Sequence, residues 1–147
     1  MHHHFAQSYY YLDTFSLPYL KGIGVGHGGD QYFWDNQNRK DNMIVLQYTL
    51  KGTGYFEIDT QRSLQKIGSF FLAEIPSDCR YYGREDWQFI YLEFSKEILQ
   101  WFYPTNQTHH DSSAAFKDII TEAVTQLQEK SEVAFFENTH LTYALVL

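Results

Sequence analysis

The sequence has little cysteine and no long hydrophobic run. One cysteine, Cys79, occurs in 147 residues, so neither an internal disulfide nor a zinc site of several cysteines can form. A lone thiol is typical of a reducing compartment, and we therefore expect a cytoplasmic protein. The absence of any run of about 20 apolar residues predicts that no helix spans a membrane. The first residues also lack the basic flank and apolar stretch of a secretory signal.

Positive charge is scarce as well. The chain has 11 Lys and Arg against 18 Asp and Glu, a formal net charge of −7. Such a chain offers no favourable surface to a phosphate backbone or an anionic membrane, so we expect it not to bind DNA, RNA or lipid by charge. The run His2–His4 has two interpretations, a purification tag or native residues, and supports no metal site. His109 and His110 fall in a predicted loop and are interpreted as surface residues.

The glycines mark the front part of the chain as strand-rich. All nine precede residue 95 and separate short runs of β-branched and aromatic residues, which is typical of short strands with tight turns. Lys51–Gly54 is predicted to be a hairpin turn, because glycine supplies the positive φ that such turns need. Both faces of Met43–Leu50 are apolar, which predicts a strand covered on both sides. The predicted strands are Gly22–His27, Gln31–Trp34, Asn42–Leu50, Tyr55–Asp59, Ser63–Lys66, Ser69–Ile75, Cys79–Gly83 and Trp87–Phe94.

The last third of the sequence predicts helices. Ser95 is a suitable N-cap for a short helix to about Phe102, Asn106–Ser112 is a predicted polar loop, and a longer helix is predicted from Ser113 to about Lys130. This helix carries an apolar stripe spaced 4, 3, 4, which is typical of a helical seam. The stripe predicts either a dimer interface or packing on the chain's own strands. Its residues are Phe116, Ile120, Ala123 and Leu127.

Direct evidence for catalysis is weak. The segment Gly22–Gly26 has half of a nucleotide-binding glycine fingerprint, but no strand precedes it and no helix follows, so its glycines are interpreted as twist or bulge positions. Cys79 and Arg80 point to opposite faces of a strand, which favours an inert buried thiol. Glu93 lies in an aromatic and apolar strand and, facing inward, would need a partner or a ligand. Aromatic residues are 18% of the chain, which fits a lined pocket or a β-rich core equally.

Four segments in order resemble one known family. Together they are similar to the N-terminal effector-binding and dimerisation domain of AraC-type transcriptional regulators, over about residues 22–95. The resemblance implies a mainly β, cupin-like (jelly-roll) barrel followed by C-terminal α-helices. Residues 1–21 would be an N-terminal arm or an edge strand, and residues 96–147 a helical dimerisation segment that ends before a DNA-binding helix-turn-helix domain. The four segments are Tyr48–Ile58, Lys66–Leu72, Ile75–Tyr82 and Trp87–Phe94.

The same resemblance argues against enzyme chemistry. In metal cupins two sequence motifs supply three histidines and a carboxylate, whereas the corresponding positions here are Asp41, Met43, Gln47 and Cys79. That set contains no imidazole and is a poor site for iron, manganese or zinc. The resemblance therefore implies a binding domain without catalytic residues, metal or cofactor.

The resemblance also implies which side chains face the barrel interior. Tyr81 and Tyr91 would stack on a sugar ring, Gln47 and Glu93 would hold its hydroxyls, and Arg39 would lie near the pocket mouth. The family acts through a homodimer and a small-molecule effector, with DNA bound only by a domain outside this chain. Two alternatives stay open, a metal-dependent cupin isomerase or dioxygenase and a dimerisation module with a packed barrel. The predicted ligand-binding residues are Trp34, Arg39, Gln47, Cys79, Tyr81, Tyr91 and Glu93.

Overall fold

The computed structural model describes residues 5–9, 18–100, 105–111 and 114–128. The predictions for His2–His4, for the remainder of the arm, for Ser113 and for residues 129–147 lie outside these residues. So does the side chain of Leu127. The elements in chain order are β1 (Phe5–Ser8), β2 (Leu20–Gly28), β3 (Phe33–Asp35), β4 (Met43–Ile58), β5 (Gln61–Gln65), β6 (Ser69–Ile75), β7 (Cys79–Phe94), a short 3₁₀ helix (Lys96–Gln100), β8 (Gln107–His110) and α1 (Ala115–Gln128).

These strands form an antiparallel sheet in the order β1-β2-β7-β4-β6-β8, with β3 also paired to β7 and β5 also paired to β4. β4 and β7 are each 16 residues long and pair with each other over nearly their whole length. The first half of β7 pairs with β3 and the second half with β2. The first half of β4 pairs with β6 and the second half with β5. Because both long strands pass from one set of neighbours to another, the sheet folds over on itself as a jelly-roll-like barrel.

The predicted hairpin at Lys51–Gly54 is wrong, because this segment lies inside the continuous strand β4. Gly52 does have a positive φ of 73°, but it serves a bulge, and the β4–β7 register shifts between Thr49 and Gly54. A Cβ atom on Gly52 would collide with the backbone oxygens of Glu85 and Asp86. Bulges bend a strand without ending it. The predicted strands on either side of residues 84–86 are likewise one bent strand, β7.

The prediction that β4 is covered on both sides is confirmed. Met43 and Val45 belong to a cluster inside the barrel together with Trp87 and Phe89. Ile44, Leu46 and Tyr48 belong to a second cluster, on the outer face of the sheet. Side chains alternate between the two faces of a strand, so a run apolar at every position serves two cores. The outer cluster also contains buried residues of β2 and α1, namely Leu20, Ile23, Val25, Ile120, Ala123 and Val124.

Two predictions for the C-terminal third have different outcomes. The helix predicted from Ser113 to about Lys130 is confirmed as α1 within the described residues, and the Asp111 carboxylate accepts the N–H of Lys117 in its first turn at 3.0 Å. The predicted loop at Asn106–Ser112 is wrong, because Gln107–His110 forms β8 against β6. Its polar side chains gave no strand pattern, since the strand is held by backbone pairing to a neighbouring edge.

The apolar stripe of α1 packs on the chain's own barrel. Ile120 is 0% exposed and Ala123 5% exposed. The ring of Phe116 lies 4.8 Å from that of Phe70, between centroids. This is the second of the two alternatives that the sequence left open, and dimerisation stays a prediction. Ile119, 45% exposed, is the large apolar residue of α1 that faces outward.

The described part of the N-terminal segment is an ordinary edge strand. β1 pairs with β2, with Phe5 opposite Val25 and Ser8 opposite Gly22. Among the described residues, no helix has both the length and the apolar character to cross a membrane.

Candidate ligand-binding cavity

The barrel contains a cavity of about 300 Å³, partly open to solvent, between β2, β4, β7 and the segment that includes β3. Six of the seven residues predicted from the sequence line it, although they come from four different parts of the chain. The structure shows that these residues lie together, and their role in binding a ligand stays a prediction. The six are Trp34, Arg39, Gln47, Tyr81, Tyr91 and Glu93.

Alternating glycines on β2 make room for this cavity. Gly22, Gly24 and Gly26 lie opposite Glu93, Tyr91 and Phe89 of β7. A Cβ atom on any of the three would collide with the side chain opposite it. The sequence interpretation as twist or bulge positions holds only at the register shift between Leu20 and Gly22. At the other positions glycine lets β7 side chains lie across β2 instead of filling the interior.

The aromatic wall consists of buried and half-buried rings in contact with one another. Tyr81 is 2% exposed, and the Tyr32 ring contacts both Tyr81 and Phe89, with centroids 6.4 and 5.1 Å apart. Burial raises the pKa of Tyr32 and Tyr81 well above the ordinary tyrosine value. Both hydroxyls therefore stay protonated at physiological pH and present neutral donors and acceptors. Sequence reasoning missed Tyr32 as a lining residue. It lies just before β3, where no strand periodicity marks the direction of its side chain.

Gln47 supplies an unsatisfied polar group. The residue is 1% exposed, and the Tyr32 hydroxyl donates to its Oε1 at 3.5 Å. Its Nε2 is buried and has no hydrogen-bond partner among the described residues. An unpaired buried donor costs about 1–3 kcal/mol. A ligand that brings an acceptor to this nitrogen would recover that free energy.

Glu93 carries a second polar group of the lining that has no partner among the described residues. It is half-buried, and its carboxylate makes no hydrogen bond or ion pair with the part of the chain that the structure describes. Burial is the main cause that raises its pKa, and nearby Asp41 adds to the effect. Arg39 and Lys21 act in the opposite direction from a distance.

Arg39 lies at the cavity as predicted, but four of its five N–H donors are already occupied. The guanidinium donates to Asp41 Oδ2 from Nη2 at 2.8 Å and from Nε at 3.1 Å. Its Nη1 donates to Asn36 Oδ1 at 3.2 Å and to the Tyr81 hydroxyl at 3.5 Å. The guanidinium carbon also lies 4.3 Å from the centre of the Trp34 ring. Arg39 therefore fastens the segment after β3 to the cavity wall.

Cys79 does not line the cavity, which corrects the sequence prediction. It is 0% exposed, and Asn36 Nδ2 and Ser77 Oγ lie 3.3 and 3.2 Å from its sulfur. Period two does place residues 79 and 81 on one face, but Asn36 and Ser77 close the barrel around residue 79. Burial raises the pKa of the Cys79 thiol, which keeps it protonated and unreactive.

Two other positions that correspond to metal-cupin ligands have separate structural roles. Asp41 is 56% exposed and pairs with Arg39, while Met43 is 5% exposed in the interior cluster. In the described ranges, no group of three or more His, Cys, Asp or Glu side chains is arranged to hold a metal ion.

Comparisons with known proteins identify the fold. No family model matches the sequence, and no curated protein does. The solved structure of YhaK from Escherichia coli superposes with a TM-score of 0.56 at 11% identity, over 75% of this chain and 52% of that one. This chain thus spans about half the length of YhaK. Other similar structures are EutQ from Clostridium difficile (TM-score 0.44, 16% identity, 63% and 68% coverage) and an RmlC-like cupin from Desulfovibrio desulfuricans (0.42, 12%, 61% and 80%).

At these identities the likeness concerns the fold alone. The observed sheet order defines a mainly β, cupin-like barrel with a C-terminal α-helix. Its two long strands, β4 and β7, each pair with different neighbours along their two halves. The predicted fold class, a mainly β barrel followed by a helix, is therefore confirmed by the observed elements and sheet order.

Proposed function

We propose that this chain is the ligand-sensing and dimerisation domain of an AraC-type bacterial transcriptional regulator in the cytoplasm. A small polar, sugar-like metabolite binds in the barrel and controls an attached DNA-binding domain. The observation that supports this most strongly is the cavity itself, about 300 Å³ in volume. Its walls are aromatic, and it holds the unpaired Gln47 amide nitrogen. Pockets for small ligands combine such apolar walls with a few placed polar groups.

The chemistry of the walls fits a sugar-like ligand. The faces of Tyr81 and Tyr91 offer flat apolar surfaces, which suit the C–H face of a pyranose ring. Gln47 donates and Glu93 accepts, so both kinds of hydroxyl hydrogen bond are available. The proposal is one of binding without turnover. The lining histidine His27 is paired with Asp86, and burial raises the pKa of the lining tyrosines, which therefore keep their protons.

β2 connects the cavity to the helical part of the domain. On one face it carries Gly24 and Gly26, which contact the cavity side chains of β7. On the other face Ile23 and Val25 belong to the same cluster as Ile120 of α1. A ligand that shifts Tyr91 against Gly24 therefore acts on a strand whose outer face shares one buried cluster with α1. We propose this as the route from ligand to the dimer and its DNA-binding domains.

A thermal-shift screen of sugars and related polar metabolites tests the proposal. We expect at least one compound to raise the Tm, with the increase growing with concentration. Tyr91→Ala should abolish the increase, since it removes one wall of the cavity. Tyr55→Ala is the matched control, because Tyr55 lies away from the cavity beneath Arg62, 4.3 Å from its ring centre. A Tyr91→Ala variant that binds as well as wild type would contradict the cavity assignment.

The rival enzyme hypothesis is tested by metal analysis and turnover. Purified protein with the His2–His4 run removed should carry no stoichiometric transition metal. Its bound compound should be recovered unchanged after prolonged incubation. Conversion of that compound, dependent on a bound ion, would overturn the proposal.

A further inference from the structure

The charged side chains that line the cavity differ in whether they have a partner. Arg39 is held by Asp41, Asn36 and Tyr81 and stacks on Trp34. At the rim, His27 pairs with Asp86. The Glu93 carboxylate is therefore the charged lining group that has no direct partner among the described residues.

The nearest other cation does not neutralise Glu93 directly. The Nζ of Lys21 donates to the carbonyl oxygen of Asn42 at 3.1 Å, and it forms no ion pair with Glu93 within 4.0 Å. Gly22 lies directly under the carboxylate, so no side chain of β2 covers it. A half-buried carboxylate in this position is best satisfied by a positively charged donor.

The surrounding aromatic rings favour the same kind of ligand. Tyr81, Phe89 and Tyr91 line the space beside Glu93, and the negative faces of aromatic rings attract cations. Gln47 adds a donor that needs an acceptor. Val45 is opposite Glu93 in the β4–β7 register, so Gln47 is the diagonal neighbour of Glu93, with Cβ atoms about 7–8 Å apart. One small ligand can therefore reach both groups.

We propose that the ligand of this cavity carries a protonated primary amine, held by Glu93, and a hydroxyl or ring oxygen that accepts from Gln47, as in an amino sugar. The inference rests on the proposed sensing function and narrows its ligand class. It also disfavours sugar phosphates and sugar acids, because four of the five N–H donors of Arg39 are already engaged and an added anion would face Glu93.

Isothermal titration of matched sugars tests this inference. The probes are glucosamine, galactosamine and mannosamine, each compared with its parent hexose, and glucose 6-phosphate as the anion. We expect at least one amino sugar to bind about 10- to 100-fold more tightly than its parent, the ratio that a charged hydrogen bond supplies. The phosphate ester should bind more weakly than glucose.

Glu93→Gln tests whether Glu93 causes the preference. The substitution keeps the shape and removes the charge, so the ratio of amino-sugar to hexose affinity should fall to about 1 if the charge sets it. Glu122→Gln is the matched control, because it removes the same charge from the exposed side of α1. It should leave the ratio unchanged.

The outcomes separate this inference from the proposed function. Hexoses that bind as tightly as their amino derivatives, or a preference that survives Glu93→Gln, overturn the amine inference while sensing of a polar metabolite stands. Tight binding of glucose 6-phosphate overturns it in the same way. Absence of binding by all seven compounds overturns the amine inference. Absence of any hit in the broader metabolite screen overturns the sensing function itself.

Discussion

At the scale of single residues, the cavity depends on the glycines of β2 as much as on the side chains that line it. Three glycines of β2 leave space that Glu93, Tyr91 and Phe89 occupy. If those side chains pointed toward the centre of the barrel, they would take up the space of the cavity. The free volume inside the domain is thus set by glycine positions that carry no chemistry of their own.

Gly24→Ala is expected to destabilise the protein and close the cavity. The added methyl would collide with the Tyr91 ring, and overpacking of this kind costs about 1–3 kcal/mol. Gly29→Ala is the matched control, because a Cβ atom there meets nothing within 4 Å. Urea unfolding of the two variants measures the difference. Equal stability of the two would show that Tyr91 is not held in place by Gly24.

Glu93→Gln is expected to raise the Tm of the unliganded protein at neutral pH. The pKa of Glu93 is raised above its ordinary value of 4.5, chiefly by burial, with Asp41 adding to the effect and Arg39 and Lys21 opposing it. A carboxyl whose pKa is raised by folding stabilises the fold fully only below its ordinary pKa. That contribution is lost as the pH rises through the folded-state value.

The pH dependence of the same variant provides the check. Glutamine does not titrate, so the Tm advantage of the variant should be absent at low pH and grow as the pH rises above about 4.5. Thermal melts of both proteins across this range measure it. An advantage that does not change with pH would mean that the substitution acts through packing and not through the charge.

At the scale of elements, β2 and α1 both contribute buried residues to the hydrophobic cluster on the outer face of the sheet. Ile120 of α1 lies in one buried cluster with Leu20 and Ile23 of β2. Helices gain most of their stability from such packing of an apolar face. The face that suggested a dimer interface is therefore already used within the monomer.

Ile120→Ala is expected to lower the free energy of unfolding by about 2–5 kcal/mol, because it removes buried methylene and methyl groups from the outer cluster. Ile119→Ala, at a position 45% exposed, should change it by less than about 0.5 kcal/mol. Urea denaturation of both variants is the measurement. Similar values for the two would contradict the packing of α1 on the barrel.

Dimerisation itself needs a substitution that leaves the core intact. Ile119→Asp changes the outward side of α1, and we expect it to convert a wild-type dimer to monomer in analytical ultracentrifugation. Ile120→Asp is unsuitable, because a charge buried in the outer cluster would unfold the domain. A monomeric wild-type chain would refute the dimer prediction.

At the scale of the whole molecule, charge limits the partners that this chain contacts by itself. With a net charge of −7, we expect no retardation of duplex DNA by the isolated chain at physiological salt, because nonspecific binding needs clustered cations. Electrophoretic mobility shift of duplex DNA with the isolated chain tests this. Retardation of DNA by the chain alone would contradict the division of roles between sensing and DNA binding.

The sequence by itself determined the alternation of apolar and polar residues, and with it the fold class. The two-sided apolar run of β4, the strand-rich front and the helix near residues 115–128 were all visible as local patterns, since each follows from the period of its element. The six predicted cavity residues came from the family resemblance, which set which face of each strand points inward. Period two then placed Tyr81, Tyr91 and Glu93 together, whereas Arg39 lies on no strand and had no periodicity to place it.

Only the tertiary structure decided what those patterns serve. Gly52 allows a turn or a bulge, and the choice falls on a bulge because β7 pairs with both halves of β4. Cys79 shares a face with Tyr81, but Asn36, 43 residues earlier in the chain, covers it. The α1 stripe could pack on a partner or on the barrel, and in the structure Phe116 contacts Tyr48 of β4 and Phe70 of β6. In each case the deciding contact joins residues far apart in sequence, which no local pattern encodes.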